Sequence, residues 1–516
     1  MVLPPNTVHP TSEENLPTKS EVFAPIEVDT FDGKVRVEWE PEASVSPLGQ
    51  LPFFIQFLKI GQRFDPWVSE CPLDYLSNNA PDKRDVLGSF LLSVLSGHTR
   101  YAHIASLAND TLNTRLLGMN KVVSDDSARR ALQKIDEKAG IEWLQSHLYS
   151  CYEPLLTTPW VLDVDVTVKP LFGHQEGAVK GYNPHKPGRP CHTYHTYMIG
   201  NLRLILDVEV KPGNQGNSSH SLPGLMTLLE RLPDGSKPQF IRGDCDWGTD
   251  KTMTEMEQSD YRYLFKMKKT KCVKELIYKS HGQGNWRHFK AGWEAKEASL
   301  KLMGWNQARR VVIVRRQLSK SDDLVLEYQQ QGQQQLAFLD GPEDMKAFEY
   351  SVLVTNLESD VISIVQHYRD RADCENNFDE LKNHWGWGGF TTQKVKSCRF
   401  ISRIIALIYN WWTLFVRLAN PDTHWEAVTS RPLLLSSVGR LTETGRQKTI
   451  KITSQHSAQD TLKEAWLRIG SFFNQLKRIA PQLTRAECWA RILSKSMEAF
   501  SLKRDDGGGH LLPATT

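Results

Sequence analysis

Two acids close two separate strand-like runs, and a third sits on a helix among cations. Asp165 falls in WVLDVDVTV, where Leu162, Val164, Val166 and Val168 take one face and Asp163, Asp165 and Thr167 the other. Asp244 ends the run PQFIRGD. An acid pointing off a strand whose other face is all Val and Leu does not serve packing. Neighbouring strands can bring two such carboxylates together around a hard cation with oxygen ligands. Asp163 and Asp246 share the same faces by period two and stand as alternatives.

The third acid is Glu375 in HYRDRADCENNFDELKNHW. With Tyr368 set at 0°, Arg371 falls at about −60°, Glu375 at about −20° and Lys382 at about −40°. One carboxylate therefore shares a narrow helical arc with two cations and a phenol. Arg371 and Glu375 are also a good i,i+4 pair, which is a structural reading. A plain salt-bridged helix, however, spreads its charges round the solvent face. A Glu beside cations able to grip phosphate oxygens has the composition of a metal-assisted phosphoryl-transfer site. There, two ions about 4 Å apart would stabilise the attacking and leaving oxygens.

The elements that must position these groups follow from the chain order. From Asp85 to about Lys138 the pattern is helical. Ser124 is a natural N-cap there, and Arg129 and Arg130 lie off the apolar face of Ala128, Ala131, Leu132 and Ile135. These short helices read either as a helix-turn-helix or as a bundle with a solvated charged face. Strands begin at Trp160. After a Gly/Pro-rich loop holding Lys186 and Arg189 come HTYHTYMIG and LRLILDVEV, a hairpin about Asn201. A helix capped by Ser218 or Ser219, the strand to Asp244, a helix, YRYLFKMK, a later YSVLVTN and a long helix from about Ile362 complete a mixed α/β order.

The 516 residues suggest about three domains at ~150 each, ample for a buried core. Apolar residues at 40% and charged residues at 24% exclude wholesale disorder and a polytopic membrane protein. The net charge is only +3, but residues 262–320 hold 16 Lys/Arg against 3 acids, and 321–360 hold 9 acids against one Lys. Lys268, Lys269, Arg309 and Arg310 belong to the basic block, interleaved with Trp286, Trp293 and Trp305. Cations for phosphates and flat rings for bases are what a nucleic-acid surface requires; a solvated β-insert with core tryptophans is the plain alternative. The runs RRVVIVRRQ and LVLEY read as strands, and Gln329 to Gln335 as a loop. The eight cysteines form no C-x-x-C pair, which argues against thiolate zinc and for a reducing interior. No signal peptide is visible, and Phe400 to Leu418 reads as a core helix because it carries Arg403, Asn410 and Arg417.

Tyr368, Arg371, Glu375 and Lys382 fit Y-(2)-R-(3)-E-(6)-K, so the chain resembles insertion-sequence transposases of the IS-four type. D-V-T-V, GHQEGAVKGYNPHKPGRP and the RGD run look like the thirteen-eighty group within that set. The first motif usually reads D-S-T-V, and here Val166 replaces Ser; Cys245, Asp246 and Trp247 depart from the usual second motif. The resemblance covers roughly 160–420. It implies an α/β fold with a ribonuclease-H-like catalytic core at 156–268 and 350–420, and a basic β-rich insertion at 269–349. Flanking these would be a largely disordered segment 1–50, a helical DNA-binding region 51–155 and a helical C-terminal region 421–516 with a flexible tail. It makes Asp165, Asp244 and Glu375 the catalytic and metal-binding triad, with two Mg²⁺ ions and Mn²⁺ as a substitute. Tyr368, Arg371 and Lys382 would then contact DNA, and Lys186, Arg189, Arg129 and Arg130 are further expected DNA-binding residues.

The implied activity is hydrolysis of phosphodiesters at the element's terminal inverted repeats, followed by joining of the 3′-hydroxyl ends to target DNA. Double-stranded DNA, both element ends and target, is the expected partner. A homodimer or larger synapse, no membrane, and a cytoplasmic, nucleoid-associated bacterial setting are the corresponding expectations. A catalytically silent DNA-binding descendant and a stand-alone metal-dependent nuclease are the alternatives.

Overall fold

The computed structural model describes residues 24–498, except 41–42, 76, 78, 184–185, 291, 319–344, 346–347, 446 and 454–457, and at 373–374 the backbone alone. The strand read at LVLEY and the glutamine tract lie outside the described residues. An exposed hairpin (Ile26–Thr30 with Gly33–Val37) stands in the segment expected to be loop. Helices α1 (Leu51–Ile60), α2 (Lys83–Leu95), α3 (Asp125–Lys134) and α4 (Glu137–Tyr152) follow. Ser124 caps α3 by accepting from the Ser127 amide.

The sheet is built from β1 (Val161–Pro170), β2 (Pro190–Ile199), β3 (Leu204–Pro212), β4 (Phe240–Gly243) and β5 (Tyr263–Lys266). Helix α5 (Ser218–Glu230) joins β3 to β4, with Asn217 and not a serine at its cap, and α6 (Asp250–Gln258) joins β4 to β5. Next come α7 (Lys271–His281), β6 (Arg287–Lys290), β7 (Trp293–Leu300), β8 (Arg309–Gln317) and β9 (Phe348–Thr355). The order across the sheet is β6-β7-β8-β9-β5-β4-β1-β2-β3, and the short strand Val179–Lys180 also pairs with the start of β2. Strands β1, β4 and β5 run parallel to one another, and β1-β2-β3 is an antiparallel meander.

The basic insertion is therefore not a separate unit. Eight residues of β8 pair with β9, and β9 pairs with β5, so its strands extend the same sheet. The C-terminal region is helical only in part: β10 (Gly439–Thr444) and β11 (Gln447–Ile452) form a hairpin there, and β10 also pairs with Ser44–Ser46.

Both faces of the sheet are covered. One packs on α10 (Val395–Ala419), which is buried along nearly its whole length. Three of its buried polar side chains find partners in or beside β3. Arg403 grips Asp207 at 2.7 and 3.1 Å, Asn410 bonds both backbone groups of Ile205, and Arg417 donates to the Leu202 carbonyl. That explains polar residues in so apolar a helix. Among the described residues no helix is long and apolar enough to cross a membrane. The other face packs on α8 (Val361–Arg369), through Val361, Ile364 and Val365 against Val161, Phe240, Leu264 and Val312.

The helix read as continuous from Ile362 is broken at Asp370–Arg371, and α9 (Ala372–Asn383) restarts with Arg371 as its cap. Helices α11 (Gln459–Ile479) and α12 (Arg485–Ser496) close the described chain.

One polar contact crosses the β1–β4 seam. Arg242 Nε and Nη2 meet the two oxygens of Asp163 at 2.5 and 2.6 Å, and Nη1 donates to the His367 carbonyl of α8. Neither residue is exposed beyond 1%. Gly200 is required beside them, because a Cβ there would lie 2.0 Å from Asp163 Oδ2. Removing one partner of such a pair costs about 3–5 kcal/mol. Arg242→Met should therefore lower the urea midpoint steeply, and Arg242→Met with Asp163→Leu should recover much of the loss. Equal midpoints for the single and double variants would show that the pair is not what holds the seam.

Candidate active site

Register places the first two acids. Asp163 aligns with Arg242 across the parallel β1–β4 pair, so two steps further Asp165 lies alongside Asp244. Adjacent strands stand about 4.8 Å apart. Asp163 and Asp165 point to the same face but meet different partners: Asp163 is locked by Arg242, whereas Asp165 meets Arg371 at the start of α9. Asp246 ion-pairs with Lys268, and its amide donates to Asp244 Oδ1 at 3.0 Å.

Arg371 joins the third acid to this pair. Its Nη2 donates to Asp165 Oδ1 at 3.1 Å and its Nη1 to Glu375 Oε1 at 2.8 Å. Arg371 is buried, while Glu375 is mostly exposed. Burial pushes the Asp165 carboxyl up to about 6; Arg371 opposes this, and the charges of Asp244 and Glu375 add to it. Burial likewise raises Asp244, against the pull of Arg371. Asp165 thus feels both other acids, with the Arg371 guanidinium among them.

Among the described residues no three acids are already drawn close enough to enclose an ion. Arg371 stands between Asp165 and Glu375. The donor set is all carboxylate oxygen with a surplus of negative charge, which fits a hard divalent cation.

Tyr368, one turn before Arg371, is half-buried; burial raises its phenol, with Asp244 and Glu375 adding to the effect against Arg371. It stays protonated and able to donate. Lys382 lies two turns beyond Glu375 on α9, half-buried.

The remaining expected DNA contacts separate sharply. Lys186 and Arg189 are exposed in the loop after β1. Arg129 pairs with Asp125 and Asp126, and Arg130 with Asp126, on their own helix. Lys268 is held by Asp246, and Lys269 is half-buried, with its ammonium pKa lowered first by burial and then by Lys266.

The expectation fails for Arg309, which is buried between Asp250 and Glu257 at 2.6 and 2.7 Å. It also fails for Arg310, which spends its donors on the Leu357 and Ser359 carbonyls and on Glu297. The tryptophans are covered by arginines of the same chain: Trp286 by Arg315 at 4.0 Å, Trp293 by Arg369 at 4.4 Å, and buried Trp305 by Arg309 at 5.2 Å. The arginines of β8 are neutralised where they stand: Arg315 by Glu294 directly opposite on β7, Arg310 by Glu297, Arg316 by Glu349 on β9, and Arg309 by Asp250 and Glu257 of α6.

Two residues that the sequence reading passed over position the site. Arg242 is one; an arginine inside the apolar run PQFIRGD was the available signal that a buried acid must meet it. Lys169 is the other. Buried on β1, it donates to the Gly389 carbonyl and to Tyr194 Oη at 3.3 Å, so it ties down the loop that follows α9. No sequence pattern marks that contact.

A family model described as transposase DDE domain, group 1, matches residues 77–472. No curated protein matches the chain. Among solved structures, a piggyBac transposase in a synaptic complex with hairpin DNA is similar at 12% identity and a TM-score of 0.36, over 90% of this chain and 86% of that one. That overlap is too low to transfer positions.

Two outcomes follow from the geometry. A carboxyl raised in the folded state contributes stability that is full below its ordinary pKa near 3.8 and lost as pH rises through about 6. In chelator, the wild-type melting temperature should fall between pH 4 and 6 relative to Asp165→Asn; parallel curves would refute the crowding. Arg309→Ala should melt early, yet leave the salt dependence of DNA binding of the folded protein unchanged. A reduced slope would return Arg309 to the DNA surface.

Proposed function

We propose that this chain, which belongs to the transposases of DDE domain group 1, cuts and joins DNA with Asp165, Asp244 and Glu375 as its acidic triad. The supporting observation is Arg371, a single buried guanidinium that touches Asp165 and Glu375 and acts on Asp244. The engagement of Asp163 by Arg242 and of Asp246 by Lys268 favours Asp165 and Asp244 over their neighbours. The order β3-β2-β1-β4-β5, an antiparallel meander followed by two parallel strands, supports the ribonuclease-H-like reading of the core.

Asp165, Asp244 and Glu375 would hold two Mg²⁺ ions, or Mn²⁺ in their place. Such ions supply charge stabilisation to the attacking and leaving oxygens of an in-line displacement. The chain's own residues do the rest. Tyr368, kept protonated, donates to a phosphate oxygen. Arg371 can offer a fork and Lys382 a point charge to the same strand. Held in this way, the strand end is in line for attack by water, and later a 3′-hydroxyl is in line for attack on target DNA. An insertion-sequence substrate of the IS-four type rests on the Y-R-E-K spacing, and the thirteen-eighty grouping on D-V-T-V, GHQEGAVKGYNPHKPGRP and the RGD run. Two ends must be joined, so a homodimer or larger synapse forms part of the proposal.

Asp165→Asn, Asp244→Asn and Glu375→Gln should each abolish Mg²⁺-dependent cleavage of labelled element ends while leaving end binding largely intact. Full activity in any one would move the assignment to Asp163 or Asp246, or away from Glu375. Arg371→Lys keeps the charge and loses the fork, so single-turnover cleavage should fall nearly as far as in Arg371→Ala. If the Arg371 and Lys382 variants melt early yet cleave normally when folded, their helix face is structural.

A further inference from the structure

The loop that leaves the end of β1 has a composition unlike the rest of the surface. Residues 171–190 carry Lys180, Lys186 and Arg189 against one acid, Glu176. That acid is turned away from the cations: its carboxylate accepts from the Val395 amide at 3.3 Å, and its backbone bonds Gln393 and His192. Lys186 and Arg189 have no carboxylate partner among the described residues, whereas the arginines of β8 each have one.

Two large rings share the loop, Phe172 at 68% and Tyr182 at 79% exposure. Lys186 and Arg189 stand 4.7 and 4.8 Å from the centre of the Phe172 ring. Water is a poor environment for an aromatic face, and apart from the two cations beside Phe172 both rings stay largely open to it.

The loop is nonetheless a built object. Buried Asn183 accepts from the Lys186 amide at 3.0 Å, the Arg189 amide bonds the Lys186 carbonyl, and the Leu171 amide bonds that of Pro190. At Gly181 a Cβ would lie 1.8 Å from the Gly213 carbonyl, so the loop base fits closely against the end of β3. Cations and rings are thus held out together on a braced stem.

We infer that this loop is a strand-gripping finger: Lys186 and Arg189 take DNA phosphates, while Phe172 and Tyr182 stack on unpaired bases close to the cleavage point. The inference rests on the transposase reading of the site and adds to it a place and a form of DNA. Paired bases hide their faces inside the duplex, so exposed rings gain only where bases are unstacked, and such stacking tolerates any sequence. The reach is bounded. Phe172 is seven residues from Asp165, at most about 23 Å along the chain, or about seven base-pair steps.

The test uses full-length protein and end fragments with 2-aminopurine placed singly at positions within seven steps of the cut, either fully paired or with a three-base unpaired stretch. The double variant Phe172→Leu, Tyr182→Leu keeps apolar bulk and removes the stacking faces. It should bind the unpaired-end fragment about tenfold or more weakly and lose the 2-aminopurine quench, with binding to fully paired duplex unchanged. Lys186→Ala with Arg189→Ala should lower the salt slope of log K by about 1.8 on both fragments. If wild type cleaves while the ring variant binds and quenches like it, the finger is wrong and the transposase site stands. If wild type neither binds nor cleaves any fragment, the functional reading itself fails and the finger with it.

Discussion

The site depends on a buried ion pair that takes no part in its chemistry. Asp163 and Arg242 fix β1 against β4 in parallel register, and the same guanidinium holds the last turn of α8. With that seam set, Asp165 and Asp244 fall side by side two residues on, and the chain leaving α8 must deliver Arg371 above them. Along this face of β1 the character changes by pairs of residues: apolar at Val161, locked charge at Asp163, half-buried acid at Asp165, clamp at Lys169. A strand with period two lets each role occupy its own level.

Electrostatics then divides the molecule. Wherever a cation in the described insertion faces an acid across a strand pair, the two neutralise each other, and the block that looked like a DNA surface becomes part of the sheet's cohesion. Negative charge gathers where the triad carboxylates meet. Exposed positive charge without a carboxylate partner is found in the loop after β1. A net charge of +3 concealed this division.

Much of it was legible in the sequence. Alternation in WVLDVDVTV put Asp165 on a strand, though it stands mid-strand and not at the end expected; the RGD ending put Asp244 at a strand end, and helical spacing put Glu375 with Arg371. The polar residues of α10 marked it as a core helix. What was not legible is pairing across distance. Nothing local told Asp163 from Asp165, because that choice depends on Arg242, 79 residues away. The fate of Arg309 and of the three tryptophans depended on register between strands, and composition is blind to register. The break at Asp370 also escaped helical periodicity, since Arg371 keeps a near-helical backbone there.

The insertion's place within the sheet sets an order of events during synthesis. Strand β9 lies between β8 and β5, and α8 hangs directly from its end. A ribosome that has delivered Asp165 and Asp244 has still to make the whole insertion before Arg371 and Glu375 emerge. Until then the two early acids face each other without their guanidinium, and no partial chain holds the full triad. Under the proposed triad, the chain is thereby assembled with its third acid arriving late.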